Sequence, residues 1–202
     1  MSRSPAPERF QPSTFSFSEE NLSRAEVVIG YYPPGRKASA VLALLDLAQR
    51  QNDGWLPRAA MDAVAKYLDM PRIRVYEVAT FYEMFNLAPI GEHHIRICTT
   101  TPCQLRGALD IVSRVENHLN VELGGTTNDG KFTVDEFECL GACVNAPVIW
   151  IDDDYYEDLD PDKAVAIIDA LCRGEKPTSG PQINRLTSAP VSGARTLLKP
   201  VD

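Results

Sequence analysis

Apolar positions along the chain fall into two regimes. Between residues 21 and 88 they recur at helical spacing, with Ala40, Val41, Leu44, Leu45, Leu47 and Ala48 following a 3.6-residue period. The break at Pro33-Pro34-Gly35 precedes this run, and Asn52-Asp53-Gly54 stops it with residues that tolerate a helix end. Pro57 and Pro71 each stand where a first helical position is expected, since proline lacks only an N–H that is unpaired there anyway. The helix after Pro57 is predicted to bury Ala60, Met61, Val64 and Leu68; the one after Pro71, Ile73, Val75, Val78, Phe81 and Phe85.

From His93 the pattern shifts to short alternating runs separated by helical ones. His93–Cys98 alternates around β-branched Ile95 and Ile97 and predicts a strand. Residues 104–119 predict one amphipathic helix through Leu105, Ala108, Leu109, Val112, Val115 and Leu119. Gly124-Gly125 and Asn128-Asp129-Gly130 are turn chemistry, Phe132–Phe137 predicts a strand, and Val148–Ile151 another. Asp152–Asp154 reads as a solvated turn leading back through Tyr155 and Tyr156. Pro161 opens a last helix over Asp162–Cys172 that buries Ala164, Val165, Ile167, Ile168 and Leu171. The order is β-α-β-β-α. The chain thus divides into a flexible or surface-hugging Pro- and Ser-rich arm (1–20), a helical domain (21–90), an α/β domain (91–174) and a tail without periodicity (175–202), extended along a partner or disordered. The fold class is α+β.

A chain of 202 residues accommodates such a pair of small domains. Twenty basic against 28 acidic side chains, with no basic run, opposes nucleic-acid binding, which rests on neutralising phosphates. The short helices around Leu68–Pro71 invite a helix-turn-helix reading, but Asp62, Asp69, Glu77 and Glu83 balance the cations beside them. No apolar run reaches the length of a membrane span, and residues 1–10 lack the apolar core of a secretory signal. A reducing compartment is therefore expected, which disfavours disulfides.

Against that background the cysteines stand out: Cys98-x4-Cys103, then 35 residues, then Cys139-x3-Cys143. Each clip sets two thiols close together, and two clips make a four-sulfur cage. Thiolates select zinc or iron–sulfur clusters over magnesium or calcium. The spacing alone leaves three readings: a cluster with two thiolates on each iron, a structural zinc, or two disulfides.

The residues around the clips narrow the choice. His94-Ile-Arg-Ile-Cys98-Thr-Thr-Thr-Pro-Cys103-Gln-Leu-Arg-Gly-Ala108 and Glu138-Cys139-Leu-Gly-Ala-Cys143-Val-Asn-Ala-Pro-Val-Ile-Trp150 resemble the thioredoxin-like [2Fe–2S] subunit of NADH:quinone oxidoreductase, respiratory complex I. The likeness runs from about Tyr31 to Arg173 and includes Leu44–Gln49, Gly54-Trp55-Leu56 and Thr80–Phe85. It implies a thioredoxin-like α/β domain and one [2Fe–2S] cluster held by Cys98, Cys103, Cys139 and Cys143. It also implies a partner subunit that binds FMN and NADH, further complex I subunits, and a helical domain that docks on the flavoprotein. The location implied is cytoplasmic, peripheral on the inner face of the cell membrane without insertion. Related chains serve NAD-linked hydrogenases and formate dehydrogenases; a zinc-stabilised scaffold subunit is the reading from a different class.

The chemistry of the residues is consistent with an electron carrier. Cys98 ends a strand and Cys103 begins a helix, whose N-terminal N–H groups favour an anionic group. All-cysteine ligation favours a low potential, and no histidine in either clip points to a Rieske-type centre. Arg96 and Arg106 are candidates to moderate the charge, or are solvated surface cations. Cys172 reads as a small buried hydrophobe, His93, His94 and His118 as structural or exposed, and Trp55 and Trp150 as core or interface aromatics. No dinucleotide fingerprint, phosphate loop or nucleophile elbow occurs, so no catalytic residue is assigned and the hydride step belongs to a flavin elsewhere.

Overall fold

The computed structural model describes residues 4–193, in two compact units, Met1–Ile90 and Gly91–Asp202. The first is helical: α1 (Glu19–Ile29), α2 (Val41–Gln51), α3 (Arg58–Leu68) and α4 (Arg72–Phe81). Ser18 caps α1 by accepting the Asn21 N–H at 3.2 Å. Chain reversal after α2 uses positive φ at Asp53 (50°) and Gly54 (81°); a Cβ on Gly54 would come within 2.8 Å of Ile90. Leu44, Leu45, Ala48, Leu56, Ala60, Val64, Leu68, Val75 and Phe85 form the centre of this unit's core. Pro57 and Pro71 occupy the N-cap, one residue before the expected position.

Residues 4–20, expected as a flexible or surface-hugging arm, take the second course and lie against this unit. Ala6 donates its N–H to the Leu87 carbonyl at 2.9 Å, and Phe17 is buried edge-on to Phe15 and Tyr67. The Gln51 side chain ties the arm down, accepting from Ser18 N–H and donating to the Ser16 carbonyl, each at 2.9 Å.

Helix α4 departs from expectation. Val75 and Ala79, four apart, face the core, whereas Ile73 and Phe81 are 61% and 76% exposed. Each lies two residues, about 200°, from an inward position, so one helix cannot bury all of them. Phe85 is buried, but beyond the helix end, where its N–H bonds the Tyr82 carbonyl at 3.0 Å. Phe85→Ala is therefore expected to cost about 3–5 kcal/mol, and Phe81→Ala no more than about 0.5 kcal/mol. Denaturant midpoints of the two variants check this contrast.

The second unit is a mixed sheet ordered β2-β1-β3-β4-β5. Central β1 (His93–Cys98) runs parallel to β2 (Phe132–Phe137) and antiparallel to β3 (Ile149–Ile151). Strand β4 (Asp154–Glu157) returns from β3 through Asp152, at φ 54°, and β5 (Gly180–Pro181) pairs parallel with β4. Ile95 and Ile97 share one core with Val134, Ile149 and Ile151, closed by helices α6 (Ala108–Leu119) and α7 (Pro161–Cys172). Asp160 caps α7 through the Lys163 N–H at 2.8 Å.

Three sequence expectations need correction here. The helix expected over 104–119 is two, α5 (Thr101–Leu105) and α6, broken at Gly107 with φ 93°, a conformation costly for other residues. The break turns Leu105 and Leu109 to solvent and Ile111 into the core. Cys172 is exposed rather than buried, since it ends α7 beyond Ala170, the last buried position. The tail begins with structure: β5 joins the sheet, and the Arg185 side chain is largely buried in an ion pair with Asp158. Residues 194–202 of that tail lie outside the described residues. Among the described residues no helix is long and apolar enough to cross a membrane.

Candidate metal centre

All four clip cysteines gather at the C-terminal end of β1. Cys98 is its last residue and is 2% exposed; Cys103, in α5, is 1% exposed. Both pack with Ala108, Ala146 and Val148, with Leu140, Ala142 and Tyr155 at the edge. Cys139 and Cys143 are exposed, on the connection between β2 and β3. Gly141 turns that connection with φ 81°, and Cys143 opens a single 3-10 turn, Cys143–Asn145. The Cys98 N–H bonds the Val148 carbonyl at 3.2 Å, which ties the strand end to the segment leaving the second clip.

The thiols stand as two pairs. Cys139 and Cys143 Sγ are 3.3 Å apart, and the Cys98 and Cys103 thiols lie within hydrogen-bonding reach of each other. The Thr100 hydroxyl sits between the pairs, 3.3 Å from Cys98 Sγ and also bonded to Cys139. Backbone N–H groups converge on the sulfurs: Leu140 and Thr100 on Cys98, Val148 on Cys103, Gly141 on Cys139. Among the described residues no group of three or more His, Cys, Asp or Glu side chains converges on a single metal position.

Proton affinities split within each pair. Burial alone would push Cys98 up, but the Thr100 hydroxyl and the Leu140 and Thr100 N–H groups outweigh it and hold the thiol below its usual range. Burial, reinforced by the neighbouring Cys98 sulfur, pushes Cys103 up to about 12. In the exposed pair the Gly141 N–H and the Cys143 thiol lower Cys139, while the bond to Cys139 raises Cys143. Within each pair, then, one thiol gives up its proton more readily than the other. Two anions so close are costly, and a bound cation is what drives both protons off.

Arg96 shares the face of β1 that carries Cys98, and it is buried rather than a solvated surface cation. Its guanidinium lies 4.0 Å from the Trp150 ring centroid and 5.9 Å from Phe137, and the rings of Phe137, Trp150 and Tyr155 meet edge to face. Tyr155 is pushed up by burial and by the charges of Cys139 and Cys98, and drawn down by Arg96, so one field reaches all of them. Arg106 is exposed at the end of α5. The histidines are engaged elsewhere: His93 with Asp152 and His94 with Asp135, each at 2.6 Å, and His118 with Asp169 at 2.8 Å. Thr100 carries no signal in the sequence beyond its place inside the first clip.

Residues 25–172 match the model of the thioredoxin-like [2Fe–2S] ferredoxins. The chain belongs to that family. An NADH-quinone oxidoreductase subunit of Rickettsia bellii is 59% identical over 159 residues, 79% of this chain and 95% of that protein. Its counterpart in Rickettsia conorii is 60% identical over the same length, with the same shares covered. Among solved structures, an NAD+-reducing [NiFe]-hydrogenase aligns with a TM-score of 0.57 at 20% identity, over 67% of this chain and 23% of that one. That likeness speaks to the fold alone. The cofactor of a thioredoxin-like [2Fe–2S] ferredoxin is a two-iron cluster, and the residues present fit it. All four donors are soft thiols, set in two pairs as two irons require, with N–H groups to stabilise anionic sulfur.

Proposed function

We propose that the chain is the iron–sulfur electron-transfer subunit of an NADH-quinone oxidoreductase, with Cys98, Cys103, Cys139 and Cys143 holding its one [2Fe–2S] cluster. The observation that carries this reading is the pairing of the thiols: two clips at one sheet end, each ready to supply one iron with two thiolates. A structural zinc draws four ligands around a single point, which the pairwise arrangement does not favour. The names of the relatives at 59% and 60% identity support the parent complex over a hydrogenase or formate dehydrogenase.

Held by Cys98, Cys103, Cys139 and Cys143, the cluster would supply one-electron redox chemistry. The chain's own residues set the conditions for this. Cys98 and Cys103 lie on a side closed to water by Ala108, Ala146 and Val148, and Cys139 and Cys143 lie on an open side where a partner's redox group comes nearest. The N–H groups of Thr100, Leu140, Gly141 and Val148 and the buried Arg96 charge favour the reduced, more negative state. The partner in this reading is the flavin- and NADH-binding subunit, with other complex subunits beside it, peripheral on the cytoplasmic face of the membrane. The helical unit offers it the exposed side chains of Ile73, Phe81, Tyr82 and Met84.

The chain produced with iron and sulfide available is expected to be red-brown, with two irons and two sulfides per chain, and to show a spin-½ EPR signal only after reduction. Metal and sulfide analysis checks this; one zinc and no iron would overturn it.

A further inference from the structure

The exposed thiol pair sits on a short turn in which Leu140 and Ala142 pack partly against the apolar cluster, while Cys139, Cys143 and Val144 face solvent. The described part of the tail adds a second set of contacts to it. Strand β5 fixes the tail to β4, and the Gln182 N–H bonds the Glu157 carbonyl at 2.9 Å. Three residues on, Arg185 Nη1 faces the Val144 carbonyl at 3.3 Å, Asn145 Oδ1 at 2.9 Å, and both Asp158 oxygens at 3.1 and 3.2 Å. Its Nε donates to the Ala189 carbonyl at 3.0 Å, closing the tail on itself.

Asn145 answers in the other direction. Its side-chain amide donates to the Thr187 carbonyl at 3.2 Å and to Glu157, and its backbone carbonyl accepts the Asp158 N–H at 2.7 Å. The Arg185 and Asp158 side chains are only 9% and 7% exposed. A guanidinium held there is bound by charge-assisted bonds and does not exchange them readily for water. Arginine suits the task because its planar fork aims Nη1 and Nε at separate acceptors, which a lysine ammonium cannot do. Arg185 lies beyond residues 25–172, the segment matched by the family model.

We propose that Arg185 is a positioning residue for the iron–sulfur site, clamping the tail across the Cys143–Asn145 turn and so holding the exposed pair of thiols in place. This rests on the ligand assignment above. The clamp links Val144 and Asn145, the two residues after Cys143, to Asp158 just past β4, so the geometry of the open side depends on a residue 42 positions away from its cysteine.

The test uses the full chain loaded with iron and sulfide, as R185Q, R185K and the double variant R185Q/D158N. Three quantities are followed: loss of visible absorbance under an iron chelator, amide hydrogen exchange of residues 143–146, and the thermal midpoint. R185Q is expected to release iron roughly ten- to a hundredfold faster, the scale of losing hydrogen bonds to a charged group, with exchange raised at 143–146. R185K falls between it and the parent. The double variant removes the stranded carboxylate and so regains thermal stability, yet still releases iron fast. That separation distinguishes positioning of the thiols from general support of the fold. A double variant that keeps its iron as long as the parent, or unchanged exchange at 143–146 in R185Q, would overturn the proposal. If the parent chain holds no iron, the ligand assignment fails, while exchange at 143–146 in the iron-free variants still decides whether the clamp exists.

Discussion

Replacing Cys98, Cys103, Cys139 or Cys143 singly by alanine is expected to abolish stable cluster binding, and Cys172→Ala to leave it intact. With one pair on each iron, each replacement leaves one iron with a single thiolate from the protein. Removing only an outer-shell partner typically costs roughly 10–100-fold in metal affinity, and a direct ligand costs more. The consequences differ between the two pairs. Cys103→Ala leaves a small apolar residue among Ala108, Ala146 and Val148, so the chain stays folded while its iron is lost. Cys139→Ala also removes the acceptor of the Gly141 N–H, in a loop open to water, so its iron is lost fastest to a chelator. Cys172 is exposed at the end of α7, with Lys131 Nζ at 3.5 Å from its carbonyl rather than its sulfur. Iron and sulfide content of the five variants, read with the visible spectrum, is the measurement. A colourless Cys172→Ala protein would show that the ligands have been counted wrongly.

Much of this site could be read from the chain because it depends on local spacing. Strand His93–Cys98 alternates around Ile95 and Ile97, and Phe132–Phe137 alternates over its first four residues, so Cys98 could be placed at a strand end. The clips announce themselves because each pair is near in sequence. What escaped was non-local. Arg96 stands open between moderating the site's charge and being a solvated cation until Trp150 and Phe137 arrive from β3 and β2 to cover it. Arg185 reads as one polar residue in a featureless tail, because its partner Asp158 lies 27 positions earlier. The errors in helices have a different origin. Residues 72–81 carry apolar side chains on both faces, so composition overstated the buried set, and the apolar spacing over 104–119 runs on through Gly107, whose left-handed backbone separates α5 from α6. Thr100 illustrates a third limit: a hydroxyl between two thiol pairs is defined by three-dimensional proximity alone.

NADH alone is expected to leave the isolated chain oxidised, and to reduce it rapidly once the flavin-bearing subunit is bound. NADH gives up two electrons together as a hydride, whereas a [2Fe–2S] centre accepts one. A flavin bridges that mismatch because it is stable with zero, one or two added electrons. Residues 1–202 contain no dinucleotide fingerprint or phosphate loop that would let this chain bind and oxidise NADH itself. Its thiol site offers an outward-facing side at Cys139 and Cys143, suited to receiving an electron across an interface. On the helical unit the exposed Phe81–Tyr82 pair is a candidate anchor for that partner. Stopped-flow mixing with NADH, followed in the visible, separates the cases: no bleaching by the isolated chain over minutes, and bleaching within seconds for the chain with its flavoprotein. Phe81→Ala, nearly silent in stability, should then weaken the second response at limiting partner concentration. Rapid bleaching of the isolated, flavin-free chain would mean that it carries a nucleotide site of its own, and its role as a dependent electron-transfer subunit would fall.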